Sequence, residues 1–228
     1  DSARVIGLFV AAAVLLPTWV VAEARSSEPL VDMRMMRIPT VWTANLVALL
    51  FGFGMYSSFV FLPQFLQTPE AAGYGFGASV TESGLLLLPQ TAATFVAGVF
   101  AGALARRYGS KAMLVLGAAL TSGGTLALTL ARDELWMFVV ETTVLGFAFG
   151  LAFAAISNIV VDAVPQSQTG VASGMNANIR TVGGAIGSAV VASVVTAQVQ
   201  PSGFPVESGY THGFLVLTLT GAAAALVA

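Results

Sequence analysis

Long stretches without a single charged residue, separated by short polar clusters, dominate this chain. The clearest runs from Ile38 to Pro69. A helix that crosses a bilayer needs about 20 apolar residues. Seven segments meet that need, and we denote them A to G. They are A, Val5–Ala22; B, Val41–Leu66; C, Ser83–Ala105; D, Ala112–Ala131; E, Leu135–Ile156; F, Val171–Val199; and G, which begins near His212. Segment E carries Glu141 and segment F carries Arg180.

The polar clusters set the orientation. The A–B and C–D connections hold six of the nine Lys and Arg residues: Arg25, Arg34, Arg37, Arg106, Arg107 and Lys111. The other side has only Arg4 and Arg132. Basic residues gather on the cytoplasmic side of membrane proteins. The loops 23–38, 106–111 and 157–170 are therefore expected in the cytoplasm. The external B–C and F–G connections are rich in Gly, Pro and Ser. Trp136 marks the outer end of E, where an interfacial aromatic belongs. Spans B–C–D and E–F–G form triplets of opposite direction, the arithmetic of a 3+3 inverted repeat.

Composition narrows the class further. Of 228 residues, 57% are hydrophobic and 9% charged, with a net charge of −2. Average soluble domains carry about 25% charged residues. The composition predicts an all-α membrane protein, a multi-span helix bundle, and excludes a disordered chain or a nucleic-acid binder. There is no cysteine and one histidine, so neither a disulfide framework nor a Cys/His metal site is available. No cofactor is expected. A membrane-embedded enzyme would need a nucleophile with a base, or a metal cluster, on facing helices. The residues for that are lacking.

GALARRYGSK, Gly102–Lys111, resembles the loop motif of the major facilitator superfamily, which reads roughly G-x-L-a-D-R-x-G-R-[RK]. Gly102, Leu104, Arg107, Gly109 and Lys111 match. Arg106 stands at the Asp position and Ser110 at an Arg position. Three further stretches resemble the fourteen-span drug:proton antiporter group of that superfamily: Phe9–Arg37, FLPQFLQ at Phe61–Gln67, and Val164–Val195. The resemblance implies a plasma-membrane secondary transporter that exports amphipathic, often cationic, compounds in exchange for protons by alternating access. It divides the chain into 1–38, the last central helix with a cytoplasmic linker, and 39–228, the C-terminal six-helix transport bundle. The chain opens on Asp1 and stops inside an apolar run, so it is expected to be the C-terminal part of a longer transporter. Its partners would then be an N-terminal half of the same protein, the bilayer, a small amphipathic substrate and protons. A metabolite transporter, importing or exporting, and a non-transporting scaffold remain as alternatives.

Individual residues sharpen these expectations. Segment B aligns Asn45, Gly52, Tyr56, Phe59 and Pro63 on one face, with Gln64 beside it. Segment C aligns Gln90, Thr94, Gly98 and Gly102. Such stripes either line a cavity for flat, greasy molecules or simply pack. Asn45, Tyr56, Phe59, Gln64, Gln90 and Glu141 are the cavity candidates. Glu141 lies six residues past Leu135, about 9 Å from the outer end. An intramembrane acid is a functional candidate by default, and burial favours the neutral carboxyl, so Glu141 is either the proton-coupling site or a carboxylate solvated near the headgroups. Arg180 lies about 13 Å past Val171. It is either a tether to neighbouring carbonyls or a gating charge, with Asp162 as its nearest partner in sequence. Gly102, Arg106, Arg107, Gly109, Lys111, Asp162 and Arg180 make up the gating or structural set. Glycines four apart, Gly98/Gly102, Gly146/Gly150 and Gly183/Gly187, are expected at close helix crossings.

Overall fold

The computed structural model describes residues 2–26 and 35–228. Asp1 and residues 27–34, which include Arg34 and the middle of the 1–38 linker, lie outside the described residues. Eight α-helices make up the described fold: α1 (Ser2–Arg25), α2 (Pro39–Gln67), α3 (Val80–Leu86), α4 (Leu88–Tyr108), α5 (Ser110–Leu130), α6 (Leu135–Asp162), α7 (Thr169–Val195) and α8 (Glu207–Val227). Among the described residues six paths, with α3 and α4 joined as Val80–Tyr108, are long and apolar enough to cross a membrane. α1 occupies segment A, and its Val10, Val14, Leu15 and Trp19 stand exposed.

The element ends follow from local chemistry. α2 starts at Pro39, where the missing proline N–H is not needed. Segment C, expected as one span, is two helices meeting at Leu87. Pro89 is the cause, since its ring lacks an N–H and crowds the carbonyl four residues back. α3 is held at its start by a capping box, Ser79 with Glu82. Segment E continues to Asp162, which shortens the 157–170 loop to 163–168. Segment F ends at Val195, and an isolated bridge between Val199 and Pro205 follows. Segment G starts earlier than expected, at Glu207.

The helices pack in a repeating pattern. α2 lies against α7, and α4 against α6; α5 touches α6 and α8, and α2 touches α8 and α6. Exchanging the triplet α2, α3/α4, α5 for α6, α7, α8 maps this set of pairs onto itself. That is the packing an inverted repeat produces. Backbone contact drives the two strongest seams. A Cβ on Gly183 or Gly187 of α7 would collide with the carbonyls of Leu49 and Phe53 on α2. A Cβ on Gly146 or Gly150 of α6 would collide with those of Gln90 and Thr94 on α4. Thr94 Oγ1 also donates to the Gly146 carbonyl at 2.9 Å. The Gly98/Gly102 pair behaves otherwise: a Cβ on Gly98 meets open space, and one on Gly102 meets only the Arg106 side chain.

Candidate functional site

One face of the bundle is set by the α2 register. Leu50, Phe51 and Gly54 border a small gap shared with Thr121 of α5 and Leu217 and Gly221 of α8. Tyr56 is two residues past Gly54, a turn of about 200°, so it points away from α5 and α8. There it meets α7: a Cβ on Gly184 would enter the Tyr56 ring, and one on Gly52 would collide with the Arg180 carbonyl. Phe59 stands edge-on to Tyr56, ring centroids 6.3 Å apart, and is 55% exposed. From α6, Phe153 completes the group. The Arg180 guanidinium lies 4.0 Å from its ring centroid. Tyr56, Phe59, Phe153 and Arg180 thus form an aromatic and cationic cluster drawn from three helices.

Arg180 does not reach Asp162. Eleven residues separate Arg180 from the start of α7, about 16 Å of helix. Asp162 sits exposed at the C-terminal end of α6. Phe153 lies nine residues further in, about 13 Å, at the arginine's own depth. Arg180 makes no ion pair among the described residues, and its Nε is buried without a hydrogen-bond partner.

The other cavity candidates scatter. Asn45 is buried in the α2–α7 seam, where its Oδ1 accepts from Asn176 Nδ2 at 2.9 Å and its own amide faces the Met36 sulfur. Gln90 is buried at the α4–α6 seam with its Nε2 unpartnered. Gln64 is exposed at the outer end, on a cleft of about 320 Å³ shared with Val60, Pro63, Phe204 and Pro205. Glu141 is on the α5 side of α6: its carbonyl and Leu145, one turn on, both approach Gly124. Its Oε2 is buried without a partner. The structure therefore joins Tyr56 to Phe59 and leaves Asn45, Gln64, Gln90 and Glu141 elsewhere.

The Gly102–Lys111 motif forms a one-residue link between two spans. Gly109 alone connects α4 to α5, at φ +86° and ψ 145°. Side chains rarely adopt that conformation, so glycine is required. Arg106 and Arg107 are in the last turn of α4, with Arg107 stacked on Tyr108 at 5.2 Å. Lys111 opens α5 and borders a cleft of about 350 Å³ with Pro39, Thr40 and Ile159, so the A–B, C–D and E–F connections share one end of the bundle.

The sequence reading missed a site at the opposite end. Arg132, counted there only as a loop charge, is 6% exposed. It donates to Glu207 Oε1 at 2.9 Å, Thr211 Oγ1 at 2.7 Å and the carbonyls of Leu128 and Thr129. Its guanidinium also lies 5.8 Å from the Phe65 ring and 5.9 Å from Phe214. Phe65 stacks on Phe138 of α6, and Tyr74, from the α2–α3 loop, donates to the Pro205 carbonyl at 2.6 Å. Burial pushes the Tyr74 phenol up, against an opposing hydrogen bond from Thr68. The available signal was that Arg132 is one of only two bases, with Arg4, on a Lys/Arg-poor side.

Comparison with known proteins places this geometry. The model of the Major Facilitator Superfamily matches residues 5–188 and, in an overlapping match, 44–228. The multidrug transporter protein MdtP of Bacillus subtilis is 24% identical over 87% of the chain and 36% of its own length. The tetracenomycin C resistance and export protein of Streptomyces glaucescens is 26% identical over 86% of the chain and 36% of its own length. The multidrug resistance protein Stp of Mycobacterium tuberculosis is 30% identical, with the same coverage of 86% and 36%. The chain thus spans about a third of the length of these relatives. A crystal structure of a mutant nucleoside transporter NupG superimposes with a TM-score of 0.69 at 16% identity, over 82% of the chain and 47% of NupG. That likeness shows the fold.

Proposed function

The chain belongs to the major facilitator superfamily, and from that premise we propose that it is the C-terminal transport bundle of a drug exporter. Residues 39–228 supply six membrane-length paths, and an N-terminal half of the same transporter supplies the facing wall. Three relatives of similar sequence are, by name, two multidrug proteins and one tetracenomycin C resistance and export protein. Their agreement carries the reading. The exposed Tyr56–Phe59–Phe153 surface supports it, since aromatic faces bind flat, amphipathic molecules through stacking.

Alternating access needs rigid groups of helices that rock or slide. The α2–α7 and α4–α6 seams, in backbone contact through glycines, suit such rigid pairs. Proton coupling needs an acid inside the membrane that exchanges a proton during the cycle. Glu141 is the one acid within the described spans away from their ends, and its unpartnered, buried Oε2 supports that role. Acting from the α5 side, it would sense access through helix movement rather than through contact with substrate.

The test is dye efflux by the complete transporter under an imposed pH gradient. Glu141→Gln is expected to lower efflux at least tenfold while membrane insertion stays intact. Unchanged efflux would remove Glu141 from the mechanism. Absence of gradient-driven efflux for every amphipathic dye in the parent protein would overturn the export reading itself.

A further inference from the structure

A guanidinium inside a bilayer is costly unless something answers its charge, so such a residue faces a partner or a water-filled cavity. Arg180 has the ring of Phe153 beneath its face and no carboxylate among the described residues. Its Nε is buried and unpartnered, and the residue as a whole is half-buried. One flat face of the group is therefore covered, and no carboxylate among the described residues answers its N–H donors. The donor edge is the part of an arginine that holds a carboxylate or similar anion through paired N–H bonds. Tyr56 and Phe59 continue the aromatic surface from α2, on the side turned away from α5 and α8.

The acids of the described spans do not compete for this position. Glu141 faces α5, Asp162 lies at the helix end, and Glu82 is engaged in the capping box with Ser79. Glu207 is engaged by Arg132 at the opposite end of the bundle from Asp162. A permanent cation flanked by Phe153 and Tyr56, with no carboxylate beside it among the described residues, repels organic cations and attracts aromatic acids. From this we infer that Arg180, with Tyr56, Phe59 and Phe153, is a binding site for planar aromatic anions. The carboxylate of the ligand takes the donor edge of the guanidinium, and its ring system lies along Tyr56 and Phe59. This rests on the export reading for its physiological sense, but binding can be measured without transport.

The experiment uses the complete transporter in lipid nanodiscs and two planar probes of opposite charge, fluorescein as the aromatic carboxylate and ethidium as the aromatic cation. Equilibrium binding is followed by fluorescence anisotropy. The parent protein is expected to bind fluorescein. Arg180→Gln should weaken that binding at least tenfold and hold or tighten ethidium binding, because stacking contacts serve both dyes while loss of the cation removes the anion's partner and, for ethidium, only a repulsion. Arg180→Lys, which keeps the charge but not the planar edge, should fall between the two. Should Arg180→Gln fail to insert, Phe153→Glu carries the same test: it keeps the arginine, supplies it with a carboxylate, and should abolish fluorescein binding. The inference is overturned if the parent does not bind fluorescein, if Arg180→Gln weakens both dyes alike, or if Phe153→Glu leaves fluorescein binding intact. Ethidium efflux without fluorescein binding sinks this site and leaves export standing. Fluorescein binding with no efflux of either dye does the reverse.

Discussion

A buried amide shows how little a residue's type says about its task. Asn45 has the polarity of a cavity residue, yet it is spent on Asn176 across the α2–α7 seam. Removing one partner of a buried hydrogen bond strands the other, at about 1–3 kcal/mol. Asn176→Leu should therefore lower the thermal unfolding midpoint of the detergent-solubilised protein. The double variant Asn45→Leu/Asn176→Leu should recover most of the loss, because no orphaned amide remains. Recovery failing to appear would mean that shape, not hydrogen bonding, holds the seam. Arg180 makes the complementary point. Its depth in the membrane was legible from its place in segment F. Its neighbour was not, because Phe153 lies 27 positions away on another helix and only packing brings the two together.

At the scale of the element, three glycine pairs with the same spacing have different fates. A Cβ on Gly146 or Gly183 would strike a facing carbonyl, whereas one on Gly98 meets nothing. Gly146→Ala must push α6 off α4, and overpacking of this kind costs about 1–3 kcal/mol. Gly98→Ala gains helix propensity instead, up to about 1 kcal/mol. Thermal unfolding of the two variants should move in opposite directions; a matching fall in both would show that Gly98 is packed after all. The i, i+4 pattern reveals that two small residues share a face of a helix. It does not reveal which face meets a neighbour. The break at Leu87 was foreshadowed by Pro89, and the overhang of α6 to Asp162 was not, since a helix end beyond the apolar window leaves no hydropathy mark.

For the whole molecule, the outer end is tied by Arg132. One side chain joins the last turn of α5 to the first turn of α8 and rests against Phe65 of α2. Arg132→Gln should cost about 2 kcal/mol, the range for a hydrogen bond to a charged group. The loss should be local first. Hydrogen exchange is expected to speed up in the opening turn of α8, around Glu207–Thr211, before the α2–α7 seam responds. Glu207→Gln should do much less, because its side chain is 47% exposed and an amide oxygen can still accept. Uniform acceleration across the bundle in Arg132→Gln would show that the tie governs global rather than local stability.

The sequence by itself determined that this is a membrane bundle, where its spans lie and which connections share a side. Those properties depend on sums over neighbouring residues: apolar length against bilayer thickness, and the count of basic residues per loop. The resemblance in Gly102–Lys111 and Val164–Val195 further pointed to the superfamily that the comparison establishes. Only the tertiary structure decided the rotation of each helix, and with it the partner of every polar side chain. It put Asn45 inside a seam, turned Glu141 toward α5, stacked Arg180 on Phe153 and made a tie of Arg132. Rotation is set where backbones touch, by contacts between residues far apart in the chain. Burial of a stripe that is apolar almost all round does not choose among faces.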